Sequence, residues 1–321
     1  MEYALNNGCQ YLGLAFAQIY DSGSLKGNAS QLKYLDLSSC GSSHQVFDDL
    51  LSSCQSLEKL ALDTQSQRML HDDLVKTMCR QFGATLQVLD LSNCNGKNME
   101  TMSLKIIQLM IDSFLQLKEV NFRNTDLSEQ SLDYVSNNLS ETAMKVGFSG
   151  QRNLINTHIT ALVKRCNKLT SLDLSRCDRI ANISLANIIE FLKLSLEELN
   201  ISGTNIDATK ILELQSMSKL KHLICHDFEF EDIYVLKGLF PNLKFEMIGC
   251  INIATSNLTK SLRFLEEGFW EIDAKQLQLF RRTTYNGRDS ETSYDEGYRL
   301  GFAQGFNGSE SENDYVEIID E

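Results

Sequence analysis

An α/β solenoid is the fold class this sequence predicts: a horseshoe with parallel strands on its concave face and helices on its convex face. Three observations predict it. A nine-residue signature returns, first as Leu32-Lys-Tyr-Leu35-Asp-Leu37-Ser-Ser-Cys40, then as Leu86-Gln-Val-Leu89-Asp-Leu91-Ser-Asn-Cys94 and Leu169-Thr-Ser-Leu172-Asp-Leu174-Ser-Arg-Cys177. Weaker copies fill the gaps at near-constant spacing. Between copies the apolar period changes from two, which suits a strand, to that of an amphipathic helix.

The signature is L-x-x-L-x-L-x-x-C, that of a leucine-rich repeat, and its residues are numbered one to nine below. The weaker copies begin at Leu57, Leu117, Ala143, Leu196, Leu220 and Leu243. Successive first positions lie 25, 29, 31, 26, 26, 27, 24 and 23 residues apart. Most of these intervals fit the ~20–29 residues of this repeat class. The two long ones predict inserted turns around Gly83 and Asn95-Gly96. Leu12-Gly-Leu14-Ala15-Phe16-Ala17 reads as a degraded first unit. Helices are predicted from Val46, Phe47, Leu50 and Leu51, from Leu104, Ile107, Leu109 and Ile111, from Ile159, Leu162 and Val163, and from Leu185, Ile188, Ile189 and Leu192.

The predicted organisation has four parts. Residues 1–31 form a degraded first repeat or an N-terminal cap, and 32–249 form the solenoid. Residues 250–282 form a C-terminal cap, in which Leu262, Phe264, Leu265, Phe269 and Trp270 close the open end of the core. Without such a cap an array ends in an apolar patch with raw strand edges. Residues 283–321 hold ten acids and two arginines and are expected to be disordered.

Composition narrows the function classes. The net charge of −13 argues against a nucleic-acid partner. No run of eighteen apolar residues exists, so no membrane span and no membrane partner are expected, and Met1–Gly8 does not read as a secretory signal. Cys40, Cys94 and Cys177 share position nine, whereas Cys9, Cys54 and Cys166 sit three residues before the first leucine of a strand. Cysteines repeated in this way are stacked packing sites, where a free thiol acts as a small hydrophobe. Reduced thiols imply a cytoplasmic or nuclear home.

Cysteine at position nine resembles the leucine-rich repeats of the F-box family. The resemblance extends over roughly residues 30–255 and is most specific across 135–175, through Val135-Ser-Asn-Asn-Leu-Ser-Glu-Thr142, Phe148-Ser-Gly-Gln-Arg152 and Thr160-Ala-Leu-Val-Lys-Arg-Cys166. It implies an N-terminal F-box that docks on an adaptor of the SCF ubiquitin ligase, and a solenoid that presents a substrate for ubiquitin-dependent degradation. In a member of that family the substrate is a phosphorylated cell-cycle inhibitor, held together with a small cyclin-kinase-subunit accessory protein. The residues before Leu32 carry no F-box signature, so an SCF adaptor is expected only if an F-box exists upstream. Arg152 matches a family arginine that contacts the accessory protein. Arg176 stands where the family has an acidic residue, and Gly203 where it has a basic one.

Strand alternation places positions three, five and seven on the concave face. The expected partner-binding residues there are Asp36, Asp63, Asp90, Asn121, Arg123, Arg152, Asp173, Arg176, Asn200, His222 and His226. Such a face suits a protein partner with basic or hydrogen-bonding groups, while Asp-Leu-Ser is also simply the repeat's consensus. Arginines 123, 152 and 176 are candidates to receive a phosphate. His222, Cys225, His226 and Asp227 invite a metal reading, but four residues of strand separate the imidazoles by ~13 Å. One zinc ion requires each nitrogen at ~2.0–2.1 Å, so no metal and no cofactor are expected. No nucleophile elbow, P-loop or zinc-protease motif is present, and no enzyme activity is expected. Tyr298, Phe302 and Phe306 recur every four residues beside Gly297, Gly301 and Gly305, which predicts a short docking helix in the tail. The leading expectation is a substrate-recognition module of an SCF-type ligase. The alternatives are an F-box-less adaptor or scaffold and a ribonuclease-inhibitor-like enzyme inhibitor.

Overall fold

The computed structural model describes residues 8–19, 29–42, 44–62, 72–94, 102–226 and 244–248. Asp63, the predicted cap over 250–282 and the tail with Tyr298, Phe302 and Phe306 lie outside them. The strands are β1 (Tyr11–Gly13), β2 (Gln18–Ile19), β3 (Tyr34–Asp36), β4 (Gly41–Ser42), β5 (Lys59–Ala61), β6 (Val88–Asp90), β7 (Glu119–Asn121), β8 (Lys145–Gly147), β9 (Ser171–Asp173), β10 (Glu198–Asn200), β11 (His222–His226) and β12 (Lys244–Ile248). The helices are α1 (His44–Ser53), α2 (Asp72–Phe82), α3 (Leu104–Ser113), α4 (Glu129–Asn138), α5 (Asn156–Arg165) and α6 (Asn182–Leu192).

Ten strands form one parallel sheet in the order β1-β3-β5-β6-β7-β8-β9-β10-β11-β12, and β2 pairs with β4 in a small second sheet. Each repeat position therefore faces its own counterpart. Asp36 lies opposite Ala61, Ala61 opposite Asp90, Asn121 opposite Gly147, and Gly147 opposite Asp173. A parallel pair needs a long crossover, which each helix provides while covering one side of the sheet.

Leucines at positions one, four and six supply the core between sheet and helices. Leu32, Leu35, Leu37, Leu57, Leu60, Leu169 and Leu174 are entirely buried. Each contributes about 1.5–3 kcal/mol relative to an exposed side chain. Phenylalanine replaces leucine at position six in two adjacent units, and Phe122 stacks on Phe148 with ring centroids 5.8 Å apart. Phe82 and Phe114 stack similarly at 6.5 Å where α2 and α3 hand over to the next strands.

The predicted helices are present, with two adjustments. On α3 the buried stripe is Ile106, Ile107, Met110 and Ile111, not the predicted Leu104, Ile107, Leu109 and Ile111. Ser103 caps that helix, its hydroxyl 3.5 Å from the Ile106 nitrogen. In the shorter unit that begins at Leu196, a 3₁₀ segment over Ala208–Ser216 takes the place of an α-helix. At ~2.0 Å per residue a 3₁₀ run covers with fewer residues the span that α geometry covers at ~1.5 Å.

Candidate protein-binding surface

Three columns of equivalent positions build each strand and the turn that follows it. Position five carries Asp36, Ala61, Asp90, Asn121, Gly147, Asp173, Asn200 and Ile224. In five of these units the side chain accepts a hydrogen bond from the backbone N–H two residues on. The distances are 2.8 Å for Asp36 to Ser38, 2.8 Å for Asp90 to Ser92 and 3.1 Å for Asn121 to Arg123. They are 2.9 Å for Asp173 to Ser175 and 3.1 Å for Asn200 to Ser202. This is an Asx turn, and it bends the chain out of each strand. The Asp-x-Ser spacing held that signal: the sequence offered these residues both as partner-binding groups and as the repeat's own consensus, and the turns agree with the second.

Position eight follows the turn, and its backbone is left-handed in unit after unit. Phe16, Ser39, Asn93, Asn124, Gly150, Arg176 and Gly203 all have φ between 51° and 74°. Asn and Gly enter this region readily, whereas a long side chain does so at a cost. The sequence carried this signal too, in the Asn and Gly residues of that column.

Position nine turns back inside. The Cys94 thiol lies 2.9 Å from the Leu62 carbonyl and the Cys177 thiol 3.1 Å from that of Phe148, each one repeat earlier. Gln151 occupies the same place in its unit. Its Nε2 donates to the Phe122 carbonyl and to Thr125 Oγ1, and its Oε1 accepts from the Leu127 N–H at 2.9 Å. The eight described cysteines are all free. Burial pushes the thiols of Cys54, Cys166 and Cys177 up to about 12, so they stay protonated and unreactive at neutral pH.

Asn121, Arg123, Asp173 and Asn200 form a buried polar floor in the middle of the face, each no more than 6% exposed. Asp173 is its most perturbed member. One oxygen accepts from Ser175, while Oδ2 is buried with no hydrogen-bond partner. Burial pushes this carboxyl up to about 6, against the downward pull of the Ser175 bonds and the Arg123 guanidinium. Beside it Ser175 donates to Ser149 at 2.8 Å, linking β9 to β8. Gly147 leaves a gap in the column, and a Cβ there would meet Asn121 Oδ1 at 2.5 Å.

Asp36 and Asp90 are half-buried in the same column, as is His222 at position three of β11. His226 closes β11. Arg152 and Arg176 are exposed on the turns beyond the strands. At the opposite ends of the strands, neighbouring repeats pair charges across the sheet. Lys33 meets Glu58 at 2.8 Å, Lys145 meets Glu119 at 3.4 Å and Lys221 meets Glu197 at 2.6 Å. These pairs are partly exposed and add little stability. Among the described residues no group of His, Cys, Asp or Glu is arranged to hold a metal, and no helix is long and apolar enough to cross a membrane. An open groove of about 690 Å³ lies away from these columns, lined by Asn137, Thr160, Lys164 and Arg165 of α4 and α5 among others.

A parallel sheet with one strand per repeat, backed by helices, together with the three columns, defines a leucine-rich-repeat protein. Within that class the sequence matches the family described as the SKP2 LRR domain over residues 1–275. The chain belongs to that family.

Solved structures of similar architecture come from distant proteins. The leucine-rich-repeat protein LegL7 from Legionella pneumophila is 16% identical, with a TM-score of 0.44, and the match covers 77% of this chain and 90% of that one. The yeast Rad7 and Elc1 complex gives 14% identity and a TM-score of 0.48, over 68% of this chain and 61% of the matched chain. An internalin, InlF, from Listeria monocytogenes gives 14% and 0.39, over 79% and 86%.

Proposed function

We propose that the concave face holds a protein substrate and that this chain is the recognition part of an SCF-type ubiquitin ligase, acting by binding and not by catalysis. The match to the SKP2 LRR domain over residues 1–275 carries this reading. The surface supports it, because its polar floor and turns offer hydrogen-bonding and charged groups in a row, at the spacing of adjacent strands. A partner lying across the repeats meets position five or seven of a new repeat about every 4.8 Å. In this reading Asp36, Asp63, Asp90, His222 and His226 contribute to the face along with the central floor. Asn121, Asp173 and Asn200 shape it through their turns. In this reading an SCF adaptor joins only if an F-box lies upstream, and the protein works in the cytoplasm or nucleus, where its free thiols stay reduced.

Affinity purification of the endogenous protein, with its mass and co-purifying partners recorded, tests the proposal. A protein heavier than 36.3 kDa that brings down a cullin adaptor is the expected result. A protein of that mass without the adaptor overturns the ligase assignment and leaves a stand-alone binding module.

A further inference from the structure

Helix α6 presents apolar side chains on the side that α4 and α5 keep polar. Its buried residues are Ser184, Leu185, Ile188 and Leu192. Of the seven that remain, Ile183, Ala186, Ile189 and Phe191 are apolar and only Glu190 is charged. Outside its own buried set, α5 has a single apolar residue, Ala161, and α4 has no aliphatic one. Ile183 is 60% exposed, and Leu194, in the turn after α6, is 72% exposed. Lone exposed apolar residues are ordinary on a surface, whereas several along one helix mark an interaction site.

Four contacts join this face to the outer side of α5. Ser184 Oγ donates to Asn156 Oδ1 at 2.6 Å, and Asn187 Nδ2 donates to Thr160 Oγ1 at 3.1 Å. Lys164 Nζ sits 5.5 Å from the centroid of the Phe191 ring, and Ser195 Oγ donates to the Asn167 carbonyl at 3.1 Å. Ile183 thus lies toward the start of α5 and Leu194 toward Asn167. The open groove of about 690 Å³ follows α5 over the same span, where Thr157, Thr160 and Ala161 have short side chains. The Thr160 hydroxyl also donates to the Asn156 carbonyl at 2.9 Å, so an apolar group can cover it without stranding a polar atom. Four cations border the surface, Lys164, Arg165, Lys168 and Lys193, against two anions, Glu141 and Glu190, a balance of +2 in a chain of −13. Arg165 pairs with Glu141 at 3.5 Å, and none of the three lysines pairs with an acid among the described residues.

We propose that the outer faces of α5 and α6 form a second docking surface, which takes an acidic amphipathic helix of a partner protein. Apolar side chains of that helix rest on Ile183, Phe191 and Leu194, and its carboxylates meet Lys164, Lys168 and Lys193. The eleven residues of α6 span about 16 Å at ~1.5 Å each, so three turns of a partner helix match the surface. A helix seated in this way anchors through residues three or four apart, and a basic one would face like charge. Helices build this surface and strands build the substrate face, so neither reading depends on the other.

The test is a titration of the intact protein, methyl-labelled at isoleucine and leucine, with three synthetic three-turn peptides. The first carries leucines on one helical face with glutamates beside them, the second has lysines in place of the glutamates, and the third has the first composition in scrambled order. Saturable shifts at Ile183 and Leu194 with the first peptide are expected, with affinity about tenfold or more above that of the other two. Ile183→Glu and Lys164→Glu should each weaken that binding about tenfold. Both residues are exposed, so the urea midpoints of the variants should match the parent, which separates lost docking from lost fold. Equal affinity for all three peptides, or affinity unchanged in both variants, overturns the proposal. Sedimentation of the protein alone gives the remaining outcome: a dimer that Ile183→Glu dissociates assigns the face to a second copy of the chain and also overturns it.

Discussion

At the scale of single residues, Asp173 shows how the repeat's consensus sets both structure and a pH response. Its bond to the Ser175 N–H shapes the turn after β9, as Asn200 does for the turn after β10. Burial nevertheless opposes its charge and pushes its pKa from 3.8 to about 6. The folded state therefore binds a proton that the unfolded chain has already released, so this group's contribution to stability falls as pH rises from about 4 to about 6. That rise corresponds to about 3 kcal/mol. Asp173→Asn keeps an acceptor for the turn and removes the titration. Urea midpoints measured at pH 4.5 and 7.5 should differ less in the variant than in the parent, with the gain of the variant concentrated at the higher pH. Parallel pH profiles for the two proteins would show that Asp173 does not carry this term. The buried thiols of Cys54, Cys166 and Cys177 do not interfere, because their pKa values lie far above this window.

At the scale of elements, α5 depends on a neutral imidazole at its start. His158 is buried, and its Nδ1 accepts from the Ile155 N–H at 3.2 Å, which satisfies a donor that no helical carbonyl reaches. Burial holds the His158 pKa below 6.5, a depression that Arg179 reinforces and Asp133 and Glu129 of α4 oppose. The unfolded chain therefore takes up its proton first as pH falls, and α5 loses stability below about pH 6.5. Amide exchange of Ile159, Leu162 and Val163, corrected for intrinsic rates, should lose protection between pH 7.5 and 5.5. His158→Gln retains an acceptor and should flatten that dependence; an identical slope in the variant would sink the assignment. The existence of this helix was legible from Ile159, Leu162 and Val163, since a leucine-like period survives without tertiary information. Its cap was not, because a histidine accepting from an isoleucine N–H leaves no Ser, Thr or Asp signature. The phase of α3 was missed for a related reason: Met110 and Leu109 are equally apolar, and only packing chooses between them. The Asx turns were legible in Asp-x-Ser yet compete with a binding reading of the same residues. Sequence pattern alone does not say whether an aspartate faces a partner or its own backbone.

At the scale of the whole molecule, the register of the sheet makes each repeat depend on its two neighbours. Leu172 of β9 is 1% exposed and sits between Val146 of β8 and Leu199 of β10. Leu12 of β1 is 3% exposed but lies at the end of the strand order, paired with Leu35 of β3. Truncating a buried leucine to alanine costs about 3–5 kcal/mol where the site does not collapse. In an array whose stability is a sum of repeat and nearest-neighbour terms, the position of the cavity decides how far that loss spreads. Leu172→Ala should weaken the interfaces on both sides, so that amide protection falls in β8, β9 and β10 together and the urea transition broadens as the two flanks uncouple. Leu12→Ala should confine its effect to β1 and β3 and leave β8–β10 protected as before. Hydrogen exchange on both variants distinguishes this from a single cooperative unit, in which either cavity would lower protection across all described strands by the same amount. Such a unit would also unfold over one narrow urea range in both variants. The contrast bears on function as well, because the polar floor sits on β7–β10. A fully coupled array would transmit damage at the first repeat to that surface, whereas a nearest-neighbour array shields it.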